Sequence, residues 1–168
     1  MTYVGIDACS KGWIAVAMAA NGIAQAHFLP TISAVESEIP DALVIAIDIP
    51  IGFPTTGHRE ADLSARAVLG ARRSSLFLKV SFTRLIGAPA NHSKKTWAGM
   101  VERREALDQA GIVLDHLTPD AARFAAVDDM FDAAVLAWTA RRIHDGAAES
   151  FPATPEVGPD GRVIAIWA

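Results

Sequence analysis

Asn21-Gly22 stands between two apolar runs, residues 12–20 and 22–29. Few dipeptides constrain a fold so tightly. Asn-Gly readily takes the positive-φ backbone of a two-residue hairpin turn, whose twist matches that of the strands it joins. A third run, residues 2–8, precedes this pair, so the chain opens as an antiparallel meander. A polar segment over 31–39 then reads as a helix capped by Thr31. "ALVIAIDIP", residues 42–50, is apolar at consecutive positions, as in a strand covered on both faces. A helix precedes it, which favours a parallel return beside the first strand.

The remaining pattern alternates. A turn-rich stretch leads into a helix over 59–69, ended by Gly70, and "KVSFTRLIG" (79–87) reads as a fifth strand. Ser93 is the predicted cap of a helix over 94–109 that stops before Gly111. "TPDAAR" (118–123) is a helix start with Pro in the first position. Helix continues from there, broken near 125–127, to Gly146. "AESFPATPEVG" (148–158) reads as a connection, and "PDGRVIAIWA" (159–168) as a turn and a last strand. The order βββ-α-β-α-β-α-α-β predicts one mixed α/β domain built on a central sheet, for which 168 residues are enough to bury a core.

Composition excludes several classes. No uncharged apolar run approaches the roughly 18–20 residues of a membrane span, and neither a signal peptide nor an anchor is expected. Cys9 is the single cysteine, which rules out a disulfide framework and suits a reducing cytoplasm. A net charge of −4 argues against a broad basic surface. Trp97 and Trp138 read as core. Trp167, near the end of an apolar strand, is a candidate homodimer contact.

The acids are more informative. Asp7 and Asp48 occupy equivalent places, each at the end of an apolar run, where its strand leaves the core. If those strands are adjacent and parallel, both acids emerge at the carboxyl edge of the sheet, where ligands of α/β folds gather. "VDDMFDAAVLAW" (127–138) supplies a third group. On a helix, Phe131, Val135 and Trp138 mark the buried stripe, Asp128 and Asp132 share one flank of it, and Asp129 points nearly opposite. Like charges four residues apart repel, and a cation between them removes the penalty. Converging carboxylates are what hard divalent ions require. Two such ions about 4 Å apart activate a water and stabilise the leaving oxygen of a phosphodiester. Taken singly, each acid also fits a turn or a helix start.

Two basic stretches could grip phosphate. "ARRSS" (71–75) joins Arg72 and Arg73 to Ser74 and Ser75. "HSKKT" (92–96) places Lys94 and Lys95 at a helix start, where backbone N–H groups also welcome anions. Solvated surface runs are the plainer alternative for both.

These blocks resemble the DUF429 family, described as ribonuclease H-like nucleases. "GIDACSKGW" (5–13) is similar to the family's first hairpin, and residues 48–77, "DIPIGFPTTGHREADLSARAVLGARRSSLF", are the most specific match. "SKKTWAGMVER" (93–103), "DDMFDAAVLAWTA" (128–140) and "GRVIAIWA" (161–168) resemble further blocks. The resemblance implies a ribonuclease H-like fold, three antiparallel strands followed by a parallel pair. It also implies Mg²⁺ or Mn²⁺ held by Asp7, Asp48 and Asp128/Asp132, with Asp129 as a substitute. Two departures stand out. "CSKG" replaces a turn that more often holds proline and glycine. A stretch of several dozen residues, ending in an acidic motif, is missing between residues 77 and 81, where Lys79 stands instead.

The expectation is therefore a metal-dependent nuclease acting on nucleic acid, with Arg72, Arg73, Ser74, Lys94 or Lys95 gripping phosphate. A catalytically inactive binding or regulatory domain on the same fold is the alternative, favoured by the negative charge and the missing acidic stretch. An actin-like nucleotide-binding ATPase is a third, weakened by the lack of a second phosphate hairpin after Asp48.

Overall fold

The computed structural model describes residues 1–50, 56–69, 76–159, 161 and 163–168. The meander forms: β1 (Thr2–Cys9), β2 (Gly12–Ala19) and β3 (Ile23–Leu29) pair antiparallel, although the β2–β3 loop is Ala20-Asn21-Gly22, one residue longer than a two-residue Asn-Gly turn. Gly22 takes φ +86°, and its N–H donates to the Ala19 carbonyl. After a short turn of helix, α1 (Val35–Glu38), β4 (Ala42–Ile47) returns parallel to β1. A fifth strand, β5 (Val113–Leu117), adds parallel to β3, giving the order β4-β1-β2-β3-β5. The result is a mixed five-stranded sheet flanked by helices. β6 (Ser150–Val157) and β7 (Val163–Trp167) form a separate antiparallel pair.

Several expectations need correction. The stretch 79–87 is not a strand. It belongs to α3 (Leu76–Ile86), whose preceding apolar residues extend the run to helical length. The short period-two alternation was also compatible with one helical face. β4 is an edge strand, with Leu43 and Ile45 42% and 43% exposed, so consecutive apolar residues did not mean cover on both faces. Residues 150–157 are a strand despite two prolines, which a strand paired on one side tolerates. Thr31 precedes the first turn of helix, but its side chain makes no cap bond to that turn.

The other helices follow their signals closely. α2 spans Glu60–Leu69. α4 (Trp97–Gln109) starts at Thr96 rather than Ser93, since the Thr96 hydroxyl accepts from the Gly99 N–H at 3.2 Å. In α5 (Pro119–Phe124), Thr118 caps and Pro119 leads. The break near 125–127 separates it from α6 (Val127–His144), the longest helix described.

The main core lies between α6 and one face of the sheet, with Ile14, Val16, Met18, Val135 and Leu136 inside it. Gly5 sets how close the two layers come. A Cβ there would stand 2.0 Å from the Ala133 carbonyl oxygen and 2.2 Å from the Ala137 nitrogen. Ala133, Ala134, Ala137 and Ala140, all fully buried, present a small-residue face to β1. This seat fixes the height of α6 above the carboxyl end of β1, and so the position of the helix's first turns.

Candidate metal centre

The β1–β4 register brings the first two acids together. Ile6 is level with Ile47, and the Asp48 N–H donates to the Ile6 carbonyl at 3.2 Å, continuing the ladder one residue past β4. Asp7 and Asp48 are thus neighbours on parallel strands, about 4.8 Å apart as such strands are. Asp7 alternates with Tyr3 and Gly5, so it faces α6.

From α6, Asp132 and Asp128 come down toward the same edge. Asp132 is 1% exposed and Asp128 7%. Val135 lies wholly inside, whereas Phe131 and Trp138 are only partly buried; the seat against β1 is the alanine face instead. Asp129 turns to its own helix start, accepting from the Ala126 N–H at 3.1 Å.

Lys94 stands among these acids. Its Nζ donates to Asp132 Oδ2 and lies 3.5 Å from Asp128 Oδ2, while Lys95 Nζ pairs with Asp128 Oδ2 at 2.5 Å. The loop that carries them is clamped at both ends. Glu102 accepts from the N–H groups of Asn91 (2.8 Å) and His92 (3.1 Å), and the Ser93 carbonyl accepts from the Thr96 N–H (3.0 Å) and hydroxyl (2.8 Å). Gly99 lets that loop close down, since a Cβ there would stand 1.9 Å from the Ser93 carbonyl oxygen.

The charges do not balance. Burial first, and then the Asp132 and Asp48 charges, push the Asp7 carboxyl up to about 7, against the weaker pull of Lys94. Burial raises Asp48 too, and Lys94 only partly offsets it. Asp132 is also raised, because burial outweighs even its direct contact with Lys94. Asp128 alone is lowered: burial opposes this, but Lys95 and Lys94 prevail. Lys94 responds in kind; burial lowers it, and the three carboxylates around it raise it further. The centre lacks positive charge, and the lack is greatest at Asp7 and Asp48.

Hard carboxylate oxygens in deficit of cation suit Mg²⁺ or Mn²⁺ in kind. Among the described residues, no three acids or other metal-binding side chains yet stand close enough to hold an ion. The Lys94 ammonium lies between the two helix acids. The donors thus suit such an ion in kind but do not converge on one point, and Lys94 is the cation they contact.

Of the residues expected at the site, Asp7, Asp48, Asp128, Asp132, Lys94 and Lys95 come together. Arg72, Arg73 and Ser74 lie outside the described residues. Trp97, expected in the core, is 78% exposed in the first turn of α4. Gly5, Thr96 and Gly99 were missed. A glycine inside a strand pattern is a signal of close backbone approach, and it was available at Gly5.

No helix among the described residues is long and apolar enough to cross a membrane. Comparisons with curated proteins and with solved structures gave no match. A family model, DUF429, described as a protein of unknown function, matches residues 5–81 and 79–157. The matched segments span most of the chain and contain every acid of the centre, so the chain belongs to the DUF429 family.

Proposed function

We propose that the chain is a metal-dependent phosphodiesterase acting on nucleic acid, on a ribonuclease H-like fold. The fold reading is supported by the antiparallel meander followed by β4 parallel to β1. One observation carries the function: two strand acids, level on a parallel pair, meet two helix acids above them, and the group is short of positive charge. Mg²⁺ or Mn²⁺ bound there would polarise the phosphodiester and favour ionisation of the attacking water.

The chain's own residues take the other roles. Asp7, Asp48 and Asp132 would hold the cation, with Asp128 beside them. Gly5 and the alanine face keep the helix acids at a set height over the strand acids. Lys94, which contacts Asp132, would be free to meet a substrate phosphate if a divalent ion took over that carboxylate. Lys95, whose side chain is 70% exposed, is placed to meet one without moving far.

Calorimetric titration of Mg²⁺ and Mn²⁺ into the wild type, Asp7→Asn and Asp48→Asn tests this. Binding lost in both variants, with cleavage of labelled RNA, DNA or junction substrates by the wild type alone, is the expected result. Asn variants that gain stability while the wild type cleaves nothing would favour the inactive binding domain. The specific observation behind that second reading is Lys94, which already fills the cation's place.

A further inference from the structure

A second feature adjoins Asp48. The hydrogen bond from Asp48 N–H to Ile6 fixes which residues of β4 face β1: Val44, Ala46 and Asp48 turn their backbone groups inward. Ile45 and Ile47 therefore turn their N–H and C=O outward, to the open edge of the sheet. Among the described residues no strand pairs with that edge. Instead a cavity of about 300 Å³ lies against it, walled by β4, α2, the end of α6 and β7.

Its chemistry is specific. Ile45, Ile47 and Ile166 give apolar walls, and Trp167 adds an aromatic surface. Each outward residue of β4 offers a donor and an acceptor side by side, as one edge of a nucleobase does. Arg66 lines the cavity from α2 and forms no ion pair among the described residues. Asp48 belongs to both places, lining the cavity and standing beside Asp7. Arg59 and Asp62, paired with each other, line the cavity as well. Small-molecule sites combine these parts: apolar walls, a few fixed backbone polar groups and a small number of charged side chains.

We propose that this cavity is a nucleobase pocket, which takes the base next to the phosphodiester held at the acids and so commits the site to single-stranded nucleic acid. A base can enter such a slot only after leaving its stack, and a duplex resists that. Arg66 meets the phosphate on the far side of the same nucleotide. The position of the scissile phosphate rests on the phosphodiesterase reading, whereas base binding does not depend on cleavage. An extended peptide adding to β4 is the competing occupant, but the volume suits one nucleoside better than a run of peptide.

The test is calorimetry on the full chain without metal, using a single-stranded tetranucleotide, its abasic counterpart and a blunt duplex. Repulsion by the acids acts on all three probes, so the difference between base-containing and abasic strands isolates the pocket. The expected result is at least tenfold tighter binding of the tetranucleotide than of either other probe. Ala165→Trp, which fills the cavity, should abolish that difference. Arg66→Glu, an exposed helix position that leaves the core untouched, should weaken tetranucleotide binding at least tenfold. Equal binding of abasic and base-containing strands overturns the inference. So does unchanged binding by Arg66→Glu, or a peptide that binds where the tetranucleotide does not. A wild type that binds the base but cleaves nothing removes the phosphodiesterase reading and leaves the pocket. One that cleaves duplex as fast as single strand does the reverse.

Discussion

The strand acids and the helix acids face each other across one site and are neutralised in opposite ways. Asp128 and Asp132 have lysines in contact, delivered by a loop clamped at Glu102 and Ser93. Among the described residues Asp7 and Asp48 have no ion pair, and Lys94 reaches them only as a more distant charge. The difference is one of architecture. A helix flank leaves room for a loop to bring cations to it, whereas the ends of two parallel strands beneath a close-packed helix leave none. The unmet charge is left at the strand ends.

The largest disturbance should come from Gly5→Ala. The added Cβ meets backbone atoms of Ala133 and Ala137, which cannot rotate away, so α6 has to lift. Overpacking of this kind costs about 3 kcal/mol, at the upper end of its usual range. Chemical denaturation should show that loss. Calorimetry should show weaker Mn²⁺ binding as well, because the helix acids rise away from the strand acids. A variant that lost stability but bound Mn²⁺ normally would break the link between the seat and the centre.

Lys94→Met comes next. It strips Asp132, buried to 1% exposure, of its contact partner. Unpairing a buried charge costs 3–5 kcal/mol in full, but Lys94 is partly exposed and Asp132 can take a proton, so about 2 kcal/mol is expected. Added Mn²⁺ should then raise the melting temperature of this variant more than that of the wild type, since no ammonium competes for the place. Equal metal-induced shifts would mean that Lys94 and the ion do not share a position.

What was legible follows from the range of the physics involved. Asp7 and Asp48 could be read because each closes an apolar run, and Asp128 and Asp132 because four residues is one helical turn. The meander was readable from three short apolar runs and Asn21-Gly22 between the last two. Lys94 was recognised as basic but not as a counter-ion, because its partner is 38 residues away and the contact depends on a clamp made by Glu102. The stretch 79–87 failed for the opposite reason: too few residues were weighed to separate a period of two from one of 3.6. β6 was hidden by Pro152 and Pro155, whose cost vanishes where a strand pairs on one side.

Asp7→Asn should act in the opposite direction, stabilising the chain at neutral pH. The Asp7 carboxyl titrates near 3.8 when unfolded and near 7 when folded, so the folded chain binds the proton more tightly. Stability should therefore fall as pH rises from about 4 to about 7, and level off above, where both states are ionised. Asparagine removes that slope. Melting curves at pH 5 and pH 8 should differ more for the wild type than for the variant; parallel behaviour would show that Asp7 is not the group in deficit.

The smallest expected effect sharpens the comparison from the helix side. Asp129 lies between Asp128 and Asp132 in sequence, yet its carboxylate serves the start of α6 by accepting from the Ala126 N–H. Asp129→Ala removes that bond and one negative charge near the positive end of the helix, worth about 0.5–1 kcal/mol together. Asp132→Asn should abolish Mn²⁺ binding, and Asp129→Ala should leave it unchanged by the same calorimetry. If Asp129→Ala weakened the metal as much, the division of the helix acids by their facing would fail. The centre would then draw on whichever carboxylate the first turns of α6 can offer, and the close seat of α6 on Gly5 would matter less than the local density of negative charge.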